Sequence, residues 1–135
     1  MRARPGVVAL RLLPVACVAA AAMVYVGYVE GRNAYVARNL APMLIAVALA
    51  ALTLYKGGGT WTGGGWRWPL GTIGFSIPAL GLSLYLHYAY AANLEGLFAG
   101  ALYPLELFRF LPAYTLFAGG IGFAIGWIAG RNVQR

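Results

Sequence analysis

Apolar residues run through this chain in stretches of membrane-crossing length, separated by short polar or glycine-rich breaks. A helical span takes roughly 20 apolar residues, and the pattern predicts four: about 5–28, 35–55, 70–92 and 113–130. The start imitates a secretion signal. Arg2, Arg4 and Arg11 precede the run Leu12 to Met23, Ala20 and Ala22 resemble a cleavage site, and Pro14-Val15-Ala16-Cys17 is a poor lipoprotein-like string. The apolar stretch continues through Val24, Val26 and Val29, which predicts an uncleaved first helix with Cys17 as a small buried apolar residue.

The second span ends at Lys56, where a loop with six glycines begins and runs to Pro69. Pro78 lies near the middle of the third span and predicts a kink, because it removes a backbone donor and its ring crowds the preceding turn. Residues 94–130 are longer than one crossing needs and are interrupted by Pro104 and Pro112. The expected division is an outer interfacial or re-entrant segment over 94–111, followed by the last helix. The fold class is therefore an all-α integral membrane protein, a single four-helix transmembrane domain over residues 1–135.

Composition excludes the alternatives. Of the 135 residues 61% are hydrophobic and 10% charged, whereas a water-facing surface carries roughly 25–35% charged positions. No room remains for a soluble domain. One cysteine forbids an intrachain disulfide exchange pair. One histidine cannot supply both axial ligands of a haem or the three protein ligands of a catalytic zinc, so neither metal nor cofactor is expected.

The net charge of +7 reads as topology, because the basic residues are scattered through apolar sequence and form no patch for nucleic acid. With four spans both termini share a side. That side holds Arg2, Arg4, Arg11, Lys56, Arg67, Arg131 and Arg135, against Arg32, Arg38 and Arg109 on the other, which places both termini in the cytoplasm. A bacterial cytoplasmic (inner) membrane is the expected location. Trp61, Trp66, Trp68 and Trp127 fall at the cytoplasmic interface, and most tyrosines at the outer one.

Four features are candidates for function. In the last helix Ala118, Gly122, Gly126 and Gly130 recur every four residues, with Gly119 beside them, a stripe that lets another helix approach closely. That neighbour is either one of the chain's own helices or a partner's. An outer charged set comprises Glu30, Arg32, Arg38, His87, Glu95, Glu106 and Arg109. Glu106 and Arg109 share a helical face and are expected to pair. All but His87 sit near span ends, where snorkelling suits an anchoring role. His87, flanked by Tyr85, Tyr88 and Tyr90, is expected to bond a nearby carbonyl or tyrosine, with a proton-linked role as the functional alternative. The loop residues Lys56, Trp61, Trp66, Arg67 and Trp68 suit the headgroup region and contact with lipid or a neighbouring subunit. Its glycines lack the Gly-x-x-x-x-Gly-Lys-Ser/Thr pattern of a phosphate-binding loop. The acid-free run Leu12 to Tyr28 also departs from the small multidrug-resistance transporters, whose first helix carries a glutamate.

These readings converge on a small integral membrane subunit that is not an enzyme and packs through small-residue helix faces against other subunits or itself, among membrane lipids. A homo-oligomeric channel or transporter, its path lined by the outer charged residues and His87, is the alternative. A lipid-modifying enzyme would need His87 with Glu95 or Glu106 as acid and base.

Overall fold

The computed structural model describes residues 4–30, 36–92 and 106–133, and of residues 106–109 it describes the backbone. Five helices follow one another: α1 (Pro5–Glu30), α2 (Val36–Asn39), α3 (Ala41–Lys56), α4 (Arg67–Ala92) and α5 (Glu106–Val133). Among the described residues every regular element is helical, and four helices are long and apolar enough to cross a membrane.

Helix ends follow local chemistry. Pro5 opens α1 and Pro42 sits in the first turn of α3, where a missing donor costs nothing because those N–H groups have no helical acceptor. At the other end of α3, Gly58 N–H donates to Tyr55 O at 3.2 Å and Gly59 N–H to Leu54 O at 2.8 Å. Gly58 and Gly59 take φ of 66° and 98°, so the helix stops in a Schellman arrangement that glycine alone adopts without strain.

Three boundaries differ from the sequence reading. α4 begins at Arg67 instead of residue 70, because Pro69 falls in its first turn, where proline is tolerated. The second span is divided at Leu40, which separates the single turn of α2 from α3. The break at Pro112 is absent: α5 runs unbroken from Glu106 to Val133, so residues 106–111 belong to the last helix. Proline removes one internal hydrogen bond, a loss that a long helix can carry without ending. The interfacial or re-entrant stretch expected before it lies largely outside the described residues. Pro14 and Pro78 are likewise carried inside continuous helices.

α4 and α5 form the most extensive contact of the bundle, and α1 packs on α3 and α4 from the other side. Lipid offers no hydrophobic drive for helix association, so close packing and polar contacts must supply it. One buried cluster joins α1 and α3 through Ala19, Ala22, Val26 and Met43, with Leu80 and Leu84 of α4 against it. A second joins Ala46, Phe75 and Ala79 to Leu116 and Phe123 of α5. Between α3 and α4 the hydroxyls of Thr53 and Thr72 lie 2.9 Å apart, and Thr53 also donates to Leu49 O at 2.7 Å. The outward surface is apolar: Leu10, Val24 and Phe117 are all more than two-thirds exposed. Cys17, expected to be buried, is exposed on α1 in the same way.

Candidate functional site

Three helices meet at the end of the bundle opposite the glycine loop. Glu30 closes α1, Asn39 closes α2, and His87 stands in the last turns of α4. Their placement follows from each helix burying one face: Val26 leads to Glu30 one turn on, and Ser83 leads to His87. Glu30, Asn39 and His87 are 6%, 1% and 0% exposed, so this polar group is withdrawn from lipid and water alike.

The hydrogen bonds fix the chemistry. Nδ1 of His87 lies 2.6 Å from the Ser83 carbonyl oxygen, which can only accept, so Nδ1 carries a hydrogen. Nε2 of His87 lies 2.7 Å from Oε2 of Glu30. Asn39 Nδ2 donates to Oε1 of Glu30 at 2.7 Å. One proton therefore sits between Nε2 and Oε2, either on the imidazole as an ion pair or on the carboxyl as a neutral pair. Both forms hold the same number of protons, and Asn39 donates to Oε1 in each. Beside the pair, Ser83 Oγ and Asn39 Oδ1 are buried without a hydrogen-bond partner among the described residues.

This corrects the expected anchoring role of Glu30. It ends its helix, but its carboxyl is fully buried and takes a hydrogen bond from Asn39 of α2. The expected carbonyl bond of His87 is present, and Glu30 is a carboxylate partner of its other ring nitrogen. Asn39 and Ser83 escaped notice as lone amide and hydroxyl residues, though Asn39 next to the apolar run of α3 was the available signal. Arg38 is exposed on α2. Arg32 and Glu95 lie outside the described residues, as do the side chains of Glu106 and Arg109 with their expected pairing.

The glycine stripe faces inward, onto α4. A Cβ on Gly122 would strike the carbonyl oxygen of Gly74 and approach Pro78 Cγ to 2.8 Å, and one on Gly126 would strike Leu70 O. At Gly130 it would lie 2.6 Å from Cα of Arg67. Pro78 has no N–H to give Gly74 O, the carbonyl a regular helix would have it serve, and Gly122 packs against that carbonyl. The central position between Thr115 and Gly122 is Gly119, buried against Phe75 and Ala79, while Ala118 is only half-buried. The complementary Gly71 and Gly74 of α4 went unread because they lack a regular repeat.

At the loop end the tryptophans divide. Trp68 packs edge-on against Trp127, centroids 5.1 Å apart, and Trp127 stacks on Phe123 at 5.7 Å. Lys56 Nζ lies 6.0 Å from the Trp68 ring, and the Arg67 guanidinium 5.5 Å from that of Trp127, distances at which a cation feels the ring quadrupole. Trp61 and Trp66 turn instead to a groove between α1, α3 and α4. No protein-family model, no curated protein and no solved structure matches this chain.

Proposed function

We propose that the chain is a non-catalytic integral membrane subunit that packs, through outward small-residue helix faces, in a larger complex of a bacterial cytoplasmic membrane, with both termini inside. The observation that supports this reading is an apolar middle of the bundle among the described residues. Between the buried Glu30–His87 group and the Thr53–Thr72 pair at the loop half lie the apolar Ala22, Met43, Ala46, Phe75 and Ala79, and the buried Thr115 hydroxyl is turned to its own helix at Leu111 O. Glu30, Asn39 and His87, and likewise Thr53 and Thr72, bind one another across helices and hold them together, a role consistent with an ionisable pair in a membrane bundle.

With Gly122, Gly126 and Gly130 occupied by α4, the face offered to partners moves to the other side of α5. A Cβ at Gly120 would meet nothing within 4 Å, and Ala124 one turn on is exposed. On α1, Ala20 and Ala21 are exposed beside Cys17. The alternative reading, a homo-oligomeric channel or transporter, is favoured by the buried contact between the His87 imidazole and the Glu30 carboxyl. Mass measurement after mild extraction separates the two: a defined complex with other chains is expected, and a pure homo-oligomer supports the channel instead. Strict monomers would overturn both. For the topology, a C-terminal reporter active only in the cytoplasm is expected to be active, given the seven-to-three distribution of Lys and Arg; activity of a reporter that works only after export would reverse it.

A further inference from the structure

We propose that the groove between α1, α3 and α4 is a binding site for one acyl chain of an anionic phospholipid, whose phosphate rests at Arg11. Ala46 and Ala50 of α3 form its floor, Val15 and Val18 of α1 one wall, Ser76 and Ile77 of α4 the other. Trp61 and Trp66 of the glycine loop cover the end nearest the helix termini.

Lining and length point to the occupant. The groove holds about 570 Å³. Its α4 wall runs from Pro69 to Leu80, about 16 Å at 1.5 Å per residue. The slot is open along one side, so a hydrocarbon chain can enter it sideways from the bilayer. The walls are almost wholly carbon, and the floor is small because both residues that approach α1 and α4 there are alanines.

Charge decides the headgroup. Arg11 lies one turn before Val15 on the same face of α1, and its Nη1 donates to Gly59 O at 2.6 Å, two residues before Trp61. That bond ties the guanidinium to the mouth and uses one of its five donors. Thr62 lies beside Trp61 in the lining and adds a hydroxyl. Arg4, Lys56, Arg67 and Arg131 stand at the same end of the bundle, and no acidic residue does so among the described residues. A zwitterionic headgroup gains less from this field than one with net negative charge.

The test uses the full chain in mild detergent with equal amounts of phosphatidylglycerol and phosphatidylcholine of one acyl composition, read by native mass spectrometry. Wild type is expected to retain one phosphatidylglycerol per chain, with about fivefold preference over phosphatidylcholine, the factor for one basic residue near an anionic surface. Arg11→Gln should bring the preference to about one. Filling the slot by Ser76→Leu or Val15→Phe should reduce retention of both lipids at least about tenfold, and circular dichroism identifies which variant remains folded. Equal retention of the two lipids by wild type would overturn the proposal, as would retention unchanged in a folded groove-filling variant. A dimer that the same substitutions dissolve would also overturn it, by placing a second copy in the groove.

Discussion

Gly122→Leu is expected to unfold the α4–α5 half of the bundle, whereas Gly120→Leu, two residues away, leaves stability at or above that of wild type. At Gly122 the added side chain would enter the backbone of α4 at Gly74, and no rotamer avoids this because the Cβ itself collides. Overpacking a core typically costs about 1–3 kcal/mol when side chains can shift. Here backbone opposes backbone, so the loss should exceed about 3 kcal/mol, the upper end of that range. Gly126→Leu meets Leu70 O in the same way and should behave alike. At Gly120 nothing lies within 4 Å, so a leucine there exchanges backbone exposure for apolar contact with lipid. Denaturant titration in detergent micelles, followed by circular dichroism, reads the difference. Equal stability of the Gly122 and Gly120 variants would mean that α5 is rotated from the arrangement described.

That contrast also marks how far the sequence was legible. The spacing of Ala118, Gly122, Gly126 and Gly130 shows that a helix comes close, since only small residues at every fourth position permit it. Which helix comes close depends on Gly71, Gly74 and Pro78, whose irregular spacing means nothing until α4 is laid beside α5. The spans themselves were visible because runs of apolar residues register directly against membrane thickness. The prolines misled: Pro69 and Pro112 appeared to break helices, but Pro69 occupies a first turn and Pro112 lies inside a helix that continues past it. Glu30 was misread for a similar reason. Position along a helix says how near a residue is to an interface, and it does not say whether a following turn such as α2 supplies it a partner.

The Glu30–His87 pair provides the sharpest remaining measurement, because its two possible forms differ in strength. Glu30→Ala removes the acceptor of both His87 Nε2 and Asn39 Nδ2, and His87→Ala removes the imidazole from the carboxyl. Breaking a buried ion pair costs roughly 3 to 5 kcal/mol. Neutral interhelical hydrogen bonds within membranes couple by only about 0.6 kcal/mol on average. A double-mutant cycle in unfolding free energy isolates the coupling. A value above about 2 kcal/mol, beyond the largest expected for neutral bonds in membrane bundles, would place the shared proton on the imidazole. One near the neutral average would place it on the carboxyl. Glu30→Gln distinguishes geometry from charge: its amide can donate to Nε2 of a neutral His87 while its carbonyl accepts from Asn39. It should therefore recover most of the stability that Glu30→Ala loses. If Glu30→Ala itself costs less than about 1 kcal/mol, the median range of an exposed pair, the carboxyl is hydrated and its burial is wrong. That outcome would return the outer end of the bundle to the channel reading, since water reaching Glu30 and His87 is what a conducting path there requires.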